Sequence, residues 1–92
     1  MVLEIIVKNE TYIVKGKLTK SNLPIFNKAF FNIFSEKDEL IVNIEQLHDI
    51  DREGVNALAR LHNDSLIHQK KLVVIGKVND KLGQHIAEQD VA

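Results

Sequence analysis

Apolar and polar positions change period several times along this chain, and each change marks an element. Residues 2–8 (VLEIIVK) are rich in β-branched side chains and too short for a stable helix, which predicts a strand. Asn9 and Glu10 supply a turn, without the Asn-Gly or Asp-Gly pair that marks the tightest hairpins. Residues 12–18 (YIVKGKL) predict a second strand, antiparallel to the first.

The period then lengthens. Ser21 or Asn22 offers an N-cap and Pro24 stands in the first turn, where a missing N–H costs little. Leu23, Phe26, Phe30, Ile33 and Phe34 follow at spacings of three and four, so one helix, in a segment that holds all four phenylalanines, is predicted to supply much of the core. Ile25 and Phe31 lie off the centre of that stripe, as surface apolars or as part of an interface. Residues 39–44 (ELIVNI) predict a buried strand, residues 45–50 (EQLHDI) a loop, and Asp51 the end of that loop.

From Asp51 a helix is expected to bury Val55, Leu58, Ala59, His62 and Leu66, with Arg60, Asn63 and Asp64 pointing elsewhere. Residues 71–75 (KLVVI) predict a second central strand, stopped by Gly76. Asn79 caps a last predicted helix with Leu82 and Ile86 on one side. The order is ββαβαβα. Apolar strands alternating with helices imply an α/β domain: a small mixed sheet with parallel central strands covered by helices.

The 92 residues suffice for one domain, residues 1–92, and no repeat or linker divides them. Without cysteine there is neither a disulfide scaffold nor a thiolate zinc site, in keeping with a reducing compartment. The net charge of −1 comes from 12 basic and 13 acidic residues mixed along the chain, with no basic stripe to neutralise phosphates. Nucleic acid is therefore not an expected partner. No window approaches the roughly 18 to 20 apolar residues of a membrane span, and Glu4 interrupts the short apolar run at the start. The expectation is a soluble cytoplasmic protein with no direct membrane insertion; nothing in the pattern sets an oligomeric state.

The chemistry-bearing groups are sparse. His48, Asp49 and Asp51 fall within four residues, but Asp51 is better used as a helix cap, so no metal is expected. His62 reads as a packing residue, and Asp64 and His68 as a surface pair at helical spacing. Ser35 and Ser65 lack the setting of a nucleophile, and Gly54, Gly76 and Gly83 are too isolated for a phosphate loop. No catalytic residue, and hence no enzyme, is expected, nor any cofactor.

One turn stands apart. In Asp51-Arg52-Glu53-Gly54, Asp51 can accept from an unpaired N–H near Gly54, and Glu53 sits where the helix dipole favours an anion by about 0.3–1 kcal/mol. Gly54 allows close backbone approach. Acids are common in a helix's first turn and need no function there.

The stretch from Leu40 to Leu58 nevertheless resembles the centre of the STAS family, in which an apolar strand and a short loop lead to Asp-Ser-Ser-Gly at the start of a helix. Gly16-Lys17-Leu18 is similar to the family's Gly-x-Leu before its first helix, and residues 71–76 to its late strand. The order and spacing of these pieces, from about residue 10 to residue 87, carry the resemblance. It implies a STAS-like domain of the anti-sigma-factor-antagonist kind, a bacterial signalling module in transcription regulation. Its partner would be an anti-sigma factor or related Ser/Thr kinase, docked through Asp51, Arg52, Glu53, Gly54, Val55 and Asn56 and the helix they open.

Arg52 and Glu53 replace the two serines, so Glu53 holds the phosphoacceptor position and carries one permanent charge where a phosphoserine would bring about −1.5 to −2. Many relatives also continue beyond the equivalent of Ala92. The resemblance equally admits a structural STAS subunit of a stress-signalling or lipid-transport complex, which needs no phosphoacceptor. Anion sensing at the helix start is a third option, against which Glu53 stands as a repelling charge.

Overall fold

Lys8 pairs with Thr11 across a two-residue turn, and both turn residues, Asn9 (φ 51°) and Glu10 (φ 64°), have left-handed backbones. That is the twist which joins two antiparallel strands most directly. The structure, a computed structural model, describes residues 2–76. It begins with this hairpin of β1 (Leu3–Lys8) and β2 (Thr11–Leu18), as the sequence predicts. The helix expected from Asn79 lies outside the described residues.

A 3-10 turn (Lys20–Asn22) leads into α1 (Leu23–Ala29), and α2 (Ile33–Glu36) follows after a break. The single helix expected here is thus two. Asn32 takes a left-handed conformation (φ 53°) between them, which Asn tolerates better than most residues. Phe26, Phe30, Ile33 and Phe34 are all buried regardless, and the Phe26 and Phe30 rings lie 4.7 Å apart. Ile25 and Phe31 are exposed.

β3 (Glu39–Asn43) runs parallel to the first half of β2, and β4 (Leu47–Ile50) runs parallel to its second half. The predicted loop at 45–50 is therefore mostly strand. Five steps along β2, from Ile13 to Leu18, oppose seven along its partner, from Asn43 to Ile50, so β3 and β4 form one bulged partner to β2. Gly16 (φ 97°) sits where the pairing passes to β4; a Cβ there would lie 2.0 Å from the Val2 carbonyl oxygen.

α3 (Arg52–Ile67) crosses to β5 (Lys71–Ile75), which pairs parallel with β3. The sheet order is β1-β2-β3-β5 with β4 on β2: a small α/β fold with a mixed five-stranded sheet. The buried residues of α3 are Gly54, Val55, Ala57, Leu58, Leu61 and Ser65. Val55 and Leu58 of the predicted face are thus buried, Ala59 and His62 are half-buried at its margin, and Leu66 is 62% exposed. Ser65 is hidden from a hydrophobicity pattern. Its hydroxyl donates to the His62 carbonyl at 2.6 Å, so it is buried without loss.

α1 and α3 touch, which puts both on one sheet face. Between sheet and helices lie Val14, Leu18, Leu40, Val42 and Ile44, the most deeply buried apolar side chains. On the opposite face Ile6, Ile13, Asn43 and Ile75 stand in one row across four strands, with no described helix over them.

Candidate functional site

The end of β4 delivers Asp51 to the start of α3 in an extended conformation (φ −107°, ψ −176°), as an N-cap requires. Its Oδ1 accepts from the Gly54 N–H at 2.9 Å. Its Oδ2 accepts from the Lys20 N–H at 3.0 Å, in the turn between β2 and α1. The backbone reinforces the junction. The Asp51 N–H donates to the Leu18 carbonyl at 3.3 Å, and the Asp51 carbonyl accepts from the Val55 N–H at 3.0 Å.

Gly54 closes the same joint. A Cβ at this position would lie 2.1 Å from the Leu18 carbonyl oxygen and 2.8 Å from Ile50 Cγ1. The surface it approaches is thus the chain's own β2. Val55 is buried beside it in the core. Of the six residues expected to meet a partner, these two face inward, while Arg52 and Asn56 are exposed and Glu53 is half-buried. Among the described residues, none of those three side chains forms a hydrogen bond or ion pair, so their polar groups stay available to another molecule. Glu53 is in the first turn of a sixteen-residue helix, in the favourable field of its N–H groups.

Local sequence reading missed the neighbouring segment. Lys20 contacts Asp51 through its N–H, and the hydroxyls of its neighbours Thr19 and Ser21 lie 3.2 Å apart. Only the Ser21 cap signal pointed there, and it signals a helix start rather than a contact with a residue thirty positions on. From the turn, exposed Asn56, Arg60 and Asn63 descend one side of α3. They reach a groove of about 410 Å³ between α1 and α3, floored by Phe26, Phe30, Ala57 and Leu61. Phe31, 74% exposed, stands at its rim.

The remaining candidates do not converge. Both Asp51 oxygens are occupied by backbone donors, and His48 and Asp49 are exposed on β4. No group of three or more metal-ligating side chains forms among the described residues. His62 is half-buried. His68 bonds through Nδ1 to the Asp64 carbonyl at 2.8 Å, not to its carboxylate, so the expected side-chain pair is a helix-end contact instead. Ser35 donates to the Asn32 carbonyl. Among the described residues no helix is long and apolar enough to cross a membrane. Comparison with family models finds no match, and comparison with curated proteins finds none either.

Proposed function

We propose that this chain is a STAS-like regulatory domain that binds a protein partner, an anti-sigma factor or related Ser/Thr kinase, and does no catalysis of its own. The observation that carries the reading is the Asp51 junction. Its carboxylate ties the start of α3 to the β2–α1 turn and leaves Arg52, Glu53 and Asn56 on the surface with unspent hydrogen-bonding capacity. A preformed turn of this kind loses little entropy on binding. Asn56, Arg60 and Asn63 extend the same surface toward the exposed Phe31, so turn and helix together offer a polar strip ending in an aromatic anchor.

Glu53 favours one alternative specifically. A carboxylate has no hydroxyl to accept a phosphoryl group from a Ser/Thr kinase, so the domain in that case is a constitutive structural subunit of a signalling or lipid-transport assembly. Titration calorimetry of the purified domain against candidate kinases of the anti-sigma type tests the first reading. Binding that weakens tenfold or more in Arg52→Ala or Asn56→Ala, with the fold intact, supports it. Binding by no kinase, together with co-purification in a stable assembly that holds a transporter ATPase, supports the second.

A further inference from the structure

We propose that the domain pairs with a second copy of itself through the free edge of β1, forming one continuous antiparallel sheet about a two-fold axis at Ile6. Among the described residues β1 pairs only with β2, so its other edge is open along six residues. The two-residue hairpin fixes which groups point there. Lys8 and Thr11 flank the turn as a hydrogen-bonded pair, so Ile6 and Glu4 also bond to β2. Leu3, Ile5 and Val7 then direct their N–H and C=O groups outward.

Such an edge invites pairing, and proteins that remain monomeric blunt it with edge charges, inward charges, prolines or bulges. β1 has no proline, bulge or inward charge, and its edge charges are of opposite sign. Its two charges, Glu4 and Lys8, lie on the outer sheet face with Ile6 midway between them. That spacing is self-complementary. An antiparallel copy centred on Ile6 sets Glu4 opposite Lys8 of the second copy, and Lys8 opposite its Glu4. In the same register Ile5 meets Val7 of the second copy, and both present outward backbone groups, so the hydrogen-bond phase and the charge phase agree. The two Ile6 side chains, each 36% exposed, meet at the axis in the closer, non-hydrogen-bonded kind of pair. Val7, 57% exposed, gains a neighbour on the helix face. A shift of the register by two residues keeps the backbone bonds but loses both ion pairs.

The contact is shorter than a standard interface, so the dimer is expected to be weak and to dissociate on dilution. Sedimentation equilibrium of the full chain at up to about 100 μM is expected to show a dimer. Lys8→Glu, whose neighbour within the chain is the neutral Thr11, sets like charges across the axis twice and weakens association about tenfold or more. Glu4→Lys also sets like charges across the axis, while facing Lys15 within its own hairpin, and an equimolar mixture of the two variants, each first shown to be folded, restores the dimer as a heterodimer. Val7→Pro removes an outward N–H without touching the β2 ladder, and gives a folded monomer. A wild type that is monomeric at the highest concentration overturns the proposal. So does a dimer that survives Lys8→Glu unchanged, or variants that fail to recombine. If Val7→Pro does not fold, the charge variants decide alone.

Discussion

The Asp51 carboxylate accepts the Lys20 N–H at 3.0 Å, linking the cap of α3 to the turn before α1 across thirty-one positions of sequence. The same carboxylate caps α3 through Gly54, so one side chain sets both the start of the helix and its position against the sheet.

Removing that carboxylate leaves two N–H donors without their partner. Asp51→Ala is expected to destabilise the fold by about 1–3 kcal/mol, read as a lower urea midpoint at constant slope. Asp51→Asn should fall between, because its oxygen still accepts from Gly54 while its amide turns a donor toward Lys20. An Asp51→Ala midpoint equal to wild type would mean that the junction holds without the side chain.

Gly54 tests the same joint from the other side. In an exposed helix Gly→Ala gains about 1 kcal/mol. Here the added methyl overlaps the Leu18 carbonyl, so Gly54→Ala is expected to lose at least about 2 kcal/mol. The sign of the change in urea denaturation separates close packing from simple helix propensity.

The hairpin holds a residue that its own geometry disfavours. Glu10 adopts φ 64°, where a side chain costs roughly 1–2 kcal/mol and glycine nearly nothing. Part of that gain is offset by the greater freedom of glycine in the unfolded chain. Glu10→Gly should therefore stabilise by about 0.5 kcal/mol, a rise of roughly 2–4 °C in Tm. A lower Tm would mean that the turn is not of this type.

How much of this was legible in the sequence depends on where each cause lies. The hairpin, the strands from Glu39 and Lys71 and the Asp51 cap rest on local period and capping chemistry, and those signals are short-range. The break at Asn32 was hidden because Phe26, Phe30, Ile33 and Phe34 suit one continuous helix as well as two short ones. β4 was hidden for another reason. Leu47–Ile50 alternates weakly, and what makes it a strand is pairing with Gly16–Leu18 some thirty residues earlier. The packing of Gly54 on the Leu18 carbonyl likewise depends on a distant partner that no local pattern reveals, whereas the burial of Val55 follows from its helical spacing. In the candidate site, the residue types and the inward face of Val55 were readable, and the partner that Gly54 packs on was not.

Electrostatics at the other end of the sheet gives a pH-dependent expectation. Lys70 Nζ bonds Asp38 Oδ1 at 2.6 Å and holds that carboxyl below its ordinary range, through the hydrogen bond first and the charge second. A group whose folded pKa is depressed stabilises the fold above its unfolded pKa, and the contribution is lost as pH falls through the folded value. Asp38 is fully exposed, so the effect is small. The difference in Tm between wild type and Asp38→Asn should be present at neutral pH, shrink below about pH 4 and vanish in stronger acid. A difference that grows on acidification would contradict this pairing.

Glu53 decides between the two proposed functions, because its charge is the feature that departs from a switchable turn. Its side chain has no partner among the described residues, and its only local benefit is the helix dipole. Glu53→Gln keeps size and shape while removing the charge, so its folding stability should change by less than about 1 kcal/mol. A change in partner affinity above about 1 kcal/mol, measured by calorimetry on that folded variant, then belongs to the interface and not to the fold. Glu53→Ser adds a hydroxyl at the start of a helix whose N–H groups favour a phosphate, and it is expected to become a substrate for a kinase of the anti-sigma type. Wild type should take no label at this turn. Gln and Ser variants that both leave binding unchanged would overturn the reading, since Glu53 would then be a first-turn acid and the partner would meet the domain elsewhere.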